Sequence, residues 1–131
     1  MKPISLAEDR FWKNIPEVGG VYHIYCYKGK KPITINRVLG IDKQGILYIG
    51  KSDNLRERLR MLWRVLNPNL KATAHTFGTK YNGTNKLKKV FPLKTLSVSF
   101  KTTSEPKNLE TKLLNQYFDK FGEVPPMNSS K

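Results

Sequence analysis

The chain is 131 residues long, the size of one ordinary domain, which argues against separate catalytic and recognition halves. With 38% hydrophobic, 11% aromatic and 26% charged residues it holds enough apolar material for a core, which excludes wholesale disorder. Its 24 Lys and Arg against 10 Asp and Glu leave a formal charge of +14, which points to a polyanionic partner, nucleic acid above all. Cys26 is the single cysteine, so a disulfide framework and a multi-thiolate zinc cluster are both excluded. No run of about 18 apolar residues occurs and the N-terminal segment lacks a secretory pattern, so the expectation is a cytoplasmic protein with no membrane partner, nucleoid-associated when bound to DNA.

In chain order, Gly19-Gly20 punctuates a turn, and the β-branched and aromatic run Val21 to Tyr27 predicts a strand. Ile33 to Leu39 is a second strand candidate, Gly40 to Gly45 a polar turn, and Ile46 to Ile49 a short third strand ended by Gly50. Ser52 or Asp53 then offers an N-cap for a helix with Leu55, Leu59, Leu62 and Leu66 on one stripe and Arg56, Arg60 and Arg64 on another. Asn67-Pro68 stops it. Residues 67 to 83 show no period and predict a loop, followed by a short helix from Asn85 to Val90. Leu96, Val98 and Phe100 alternate with Ser97, Ser99 and Lys101, a strand with one buried face. Pro106 opens a last helix carrying Leu109, Leu113, Tyr117 and Phe121 at helical spacing, and Gly122 closes it. The expected fold is one α+β domain over residues 1–131, a small central antiparallel sheet flanked by helices, with a flexible tail after Met127.

The charge is uneven. Residues 51 to 101 carry 12 basic and 2 acidic side chains, whereas residues 102 to 131 carry 4 of each. Such concentration fits a phosphate-docking surface, with Arg56, Arg60, Arg64, Lys86, Lys88 and Lys89 as candidate nucleic-acid contacts. The alternative is a solvated basic helix face.

Gly20-Val21-Tyr22 on the first strand and Tyr48-Ile49-Gly50 on the third, followed in order by Lys51, Asn54-Leu55-Arg56, Arg58, Glu110 and Asn128, resemble the signature of the GIY-YIG endonuclease family. The resemblance implies metal-dependent hydrolysis of DNA phosphodiester bonds, RNA not excluded. It implies Arg58 on the scissile phosphate, ten positions after the tyrosine of the second tripeptide, and Glu110 as the metal carboxylate. Tyr22 or Tyr48 would act as the base on the nucleophilic water, and Asn128 would support the site. Arg56 is the nearest competitor of Arg58. A free tyrosine has a pKa of roughly 10, so nearby positive charge is needed, and Lys51 is the candidate to supply it. One protein carboxylate suits a single Mg²⁺ or Mn²⁺ that keeps waters and phosphate oxygens as its other ligands.

Some restriction-type members place a histidine one turn after the arginine. Leu62 stands there, so His75 is the candidate substitute, as base or phosphate contact. Tyr22 and Tyr48 lie 26 positions apart, more than in the most compact members, which predicts an enlarged hairpin between their strands. His23 should face away from the site by strand alternation. A non-catalytic nucleic-acid-binding module on the same fold is the rival reading. Selectivity is left to loops, a homodimer or a recognition partner.

Overall fold

The computed structural model describes residues 3–66, Phe77, Tyr81 and 85–129. Among these, the strands are β1 (Ile4–Ser5), β2 (Gly20–Lys28), β3 (Lys31–Pro32), β4 (Ile35–Arg37), β5 (Gly40–Asp42), β6 (Ile46–Ser52) and β7 (Leu96–Thr102). The helices are α1 (Leu55–Leu66), α2 (Asn85–Val90) and α3 (Pro106–Phe121), with a 3-10 turn at Phe11–Asn14 and another at Leu93–Thr95. β2 is central, hydrogen-bonded to β6 on one side and β7 on the other, with β1 outside β7 and β3 on the far end of β2. Every pairing is antiparallel. The molecule is therefore α+β, as the alternation of strand and helix periods predicts.

Strand alternation divides the core in two. Tyr22, Ile24 and Cys26 of β2, with Leu96 and Val98 of β7, pack against Leu55, Leu59, Leu62 and Leu66 of α1. Val21, Ile46 and Ile49 face the other way and pack against Leu114, Tyr117 and Phe121 of α3. The predicted α1 stripe is thus the buried one. On α3, Leu109 and Leu113 are only partly buried and Leu114 takes the central place. A strict four-residue repeat drifts around a 3.6-residue helix, which brings position 114 into line with 117 and 121.

The cap of α1 is neither Ser52 nor Asp53. The Ser52 hydroxyl accepts from the Asn54 N–H at 3.0 Å and donates to the Asn54 carbonyl at 2.8 Å, a local turn that delays the helix. Asn54 Oδ1 then accepts from the Glu57 N–H at 3.1 Å, the third helical position, as an N-cap does. At the other end of the chain, Gly122 closes α3 in the left-handed conformation at φ 75°, as predicted.

The long segment between β2 and β6 does not hold one strand over 33 to 39. It forms β3 and a separate β4–β5 ribbon. The ribbon is fastened to the end of α3, where Glu123 pairs with Arg37 at 2.6 Å and accepts the Val38 N–H at 2.8 Å. The Leu39 N–H adds a bond to the Phe121 carbonyl at 3.0 Å. Asp42, 1% exposed, ties the ribbon to β6 by accepting from the N–H groups of Gln44 (2.8 Å) and Ile46 (3.1 Å) and the Tyr117 hydroxyl (2.9 Å). No helix among the described residues is long and apolar enough to cross a membrane.

Candidate active site

Register places the two tyrosines. Tyr22 lies opposite Gly50 and Ile24 opposite Tyr48, so both rings project from one sheet face, diagonal to each other across β2 and β6. Their centroids are 6.1 Å apart. Gly50 leaves a notch between them: a Cβ there would stand 2.5 Å from the Tyr22 hydroxyl and 2.7 Å from the Tyr48 ring. At the other tripeptide, a Cβ on Gly20 would stand 2.4 Å from the Lys101 carbonyl and 2.6 Å from Leu55, because α1 closes directly over β2. Each glycine thus answers a close approach, one by the tyrosine ring and one by the helix.

Arg58 occupies the α1 turn between Leu55 and Leu62, off the buried stripe but only half-exposed. Its guanidinium lies near enough to the Tyr22 hydroxyl to favour the ionised phenol. Tyr22 is fully buried, and burial pushes its hydroxyl well above the ordinary tyrosine range. Tyr48 and Glu110 push in the same direction, and Arg58 opposes them. Glu110, half-buried on the second turn of α3, is close enough for its charge to reach Tyr22 although α3 covers the opposite sheet face. Burial raises the Glu110 carboxyl and the Lys51 ammonium opposes the rise.

The arrangement differs from expectation in one respect. The cation at Tyr22 is Arg58, whereas Lys51 acts on Glu110. Tyr22 is accordingly a protonated phenol near neutrality, not a base made ready by Lys51.

The segment expected to leave the domain after Met127 stays on the sheet through Asn128. The Met127 N–H donates to the Leu47 carbonyl at 2.8 Å, and its side chain is buried. Asn128 then mimics a paired strand: its Oδ1 accepts from the Ile49 N–H and its Nδ2 donates to the Ile49 carbonyl, both at 3.0 Å. Ile49 sits between Tyr48 and Gly50, so this clamp fixes the backbone that carries the notch.

The remaining candidates divide. Arg56 donates to the Ile15 carbonyl at 2.6 Å and pairs with Glu17 at 2.9 Å, which engages its fork in holding the 3-10 segment to α1. Arg60 grips Glu57 through two bonds, of 2.6 and 3.1 Å, and its guanidinium lies 6.0 Å from the Trp12 ring centroid. Arg64 continues that stripe, near enough to lower the Glu57 carboxyl with Arg60. Lys86, Lys88 and Lys89 are exposed on α2, apart from the tyrosine notch in sequence and on a different element. His75 lies outside the described residues, as does most of the predicted loop. His23 does face away from Tyr22, and burial lowers it to about 4. Two residues that no motif singles out support the site: Phe77 is fully buried with its ring 5.8 Å from that of Tyr48, and Asp42 anchors the turn into β6. The Asp42 role could be sought in its position two residues before Gln44 in a turn, a common Asx geometry.

A single carboxylate defines what kind of ion the site fits. Among the described residues no group of three or more His, Cys, Asp or Glu side chains gathers to hold a metal. Glu110 alone is a hard oxygen donor, of the kind suited to a divalent ion that retains most of its water. No family model, curated protein or solved structure matches this chain.

Proposed function

We propose that the chain is a metal-dependent endonuclease of GIY-YIG type that hydrolyses DNA phosphodiester bonds. The observation that carries this reading is a chain of charges reaching one another from four different stretches of the sequence: Arg58 of α1 and Glu110 of α3 both act on Tyr22 of β2, and Lys51 of β6 acts on Glu110. A merely structural tyrosine pair would need neither a half-buried carboxylate nor an opposing cation beside it.

Hydrolysis requires a directed water, neutralisation of charge growing on the phosphoryl oxygens, and stabilisation of the leaving oxygen. Arg58, beside Tyr22, supplies a planar fork for two phosphate oxygens. Tyr22, as a phenol, both donates and accepts a hydrogen bond, which orients a water at the notch. Tyr48 forms the other wall. Lys51, exposed at the mouth, adds positive charge beside Glu110. Glu110 is the residue that would hold Mg²⁺ or Mn²⁺, whose chemistry when bound is Lewis-acid neutralisation of phosphate charge. The excess positive charge of residues 51 to 101 favours approach of the polyanion.

The test is incubation of supercoiled plasmid, linear duplex, branched DNA and structured RNA with the protein and Mg²⁺ or Mn²⁺, each against a chelator control. Chelator-sensitive cleavage of DNA is expected. Binding without cleavage of any substrate would overturn the enzyme reading in favour of a nucleic-acid-binding module.

A further inference from the structure

The sheet face that carries α3 is covered unevenly, since α3 packs mainly on β6, β2 and β5. From under its margin outward, β2 presents His23, Tyr25 and Tyr27 as a row of half-buried rings, with His23 lining a cavity beside Tyr117 and Tyr25 still touching the α3 core. His23 stacks on Tyr25 at 5.9 Å and 17°, and Tyr25 meets Tyr27 edge-on at 6.3 Å. Ser97 and Ser99 of β7 flank the row, and the Tyr25 hydroxyl is held 2.9 Å from the Ser99 hydroxyl. The row runs into a cleft of about 730 Å³ bordered by Ser5, Tyr27, Lys30, Lys94, Thr95 and Ser97. Among the described residues no carboxylate lines this cleft, and Lys28, Lys30 and Lys31 are all exposed on the adjoining hairpin. Rings, hydroxyls and ammonium groups without a counter-charge are the chemistry that takes a polynucleotide strand: bases stack on the rings and phosphates meet the lysines.

We propose that this face is a docking platform for an unpaired DNA strand, so that the preferred substrate carries a single-stranded segment beside the duplex; this rests on the DNA reading of the tyrosine notch. Geometry selects a single strand over a duplex. Tyr27 is five residues along β2 from Tyr22, about 16 Å, and projects from the opposite face. A duplex is stiff over roughly 150 base pairs and does not fold around a sheet to touch both faces. A flexible single strand leaving the notch does.

The test is fluorescence anisotropy with a labelled oligothymidylate of about 12 nucleotides, within the usual site size, and with a blunt duplex, both in chelator. Wild type is expected to bind both. Tyr27→Ala should weaken single-strand binding about 5- to 150-fold, the range for losing one stacked base, whereas Tyr27→Phe keeps it. Lys30→Glu/Lys94→Glu, on exposed side chains that do not depend on packing, should weaken it and lower the salt slope by about 1.4, at roughly 0.7 per phosphate. Duplex affinity and duplex cleavage at saturation should stay at wild-type level in all three variants. An unchanged single-strand slope in the lysine pair, or equal losses on single strand and duplex, overturns the platform. Wild type that binds duplex but not the oligothymidylate overturns the platform and leaves the nuclease reading standing; wild type that binds neither overturns both.

Discussion

At Tyr22 two demands oppose each other. Its hydroxyl must be dry enough for directed hydrogen bonds to matter, yet the burial that achieves this keeps the proton on. Arg58 offsets part of that penalty, so its geometry matters as much as its charge. Arg58→Lys should therefore lower cleavage by about 10²-fold or more, since one ammonium cannot copy a planar fork on two phosphate oxygens. Arg60→Lys, which disturbs a surface pair with Glu57 and a guanidinium contact with the Trp12 ring, should stay within a few-fold. Equal activity in the two variants would remove Arg58 from the site. His23 gives a separate check on burial of the opposite face. Its folded pKa of about 4 lies below the ordinary value near 6.5, so between those values the unfolded chain binds the proton more readily. Stability should hold above about pH 6.5 and decline as pH falls toward 4. Thermal melts of wild type and His23→Gln should diverge in that window and run parallel above it; parallel curves throughout would show His23 to be solvated.

Among the elements, β6 bears Tyr48, Gly50 and Lys51 and is an edge strand, which by itself is a poor support. Asn128 closes that edge with two bonds to Ile49 and Met127 adds one to Leu47. Asn128→Ala should destabilise by about 1–3 kcal/mol through unpaired backbone groups and speed amide exchange at Ile49 more than at the centre of β2. Unchanged exchange at Ile49 would show that the clamp does not hold in solution. Much of this element layout is legible in the sequence because it is local: the β-branched run of β2, the leucine stripe of α1, the alternation of β7 and the Pro106 and Gly122 boundaries of α3 all act over a few residues. What is not legible depends on contacts distant in sequence. Ile33 to Leu39 reads as one strand, but Glu123 draws Arg37 and Val38 onto α3 and the segment breaks into β3 and β4. The place of Asn128 is hidden for the same reason, since nothing in Pro125-Pro126 announces that it meets Ile49. β1 is two residues long and is made by its partner β7.

For the molecule as a whole, the fold brings residues 22, 51, 58 and 110 to one edge of a sheet whose two faces are covered by α1 and α3. The order and spacing of these residues made them candidates before any geometry. Which cation faces which acid was not legible, because Lys51 and Arg58 are close in chain but reach different partners on β2 and α3. The central claim is that this edge cleaves a phosphodiester through a carboxylate at Glu110. Burial raises that carboxyl, so the ionised form comes at a cost and activity should appear only above the usual glutamate range as pH rises. The sign for stability is the reverse: neutralising Glu110 should raise the melting temperature slightly at neutral pH, with the gain vanishing in acid where the native carboxyl is already protonated. The decisive measurement is plasmid cleavage by wild type and Glu110→Gln across Mg²⁺ and Mn²⁺ titrations, with circular dichroism and duplex binding on the same samples. The account predicts cleavage lower by about 10² to 10³ or more in the variant, with fold and DNA affinity retained; near wild-type cleavage at low metal would contradict it.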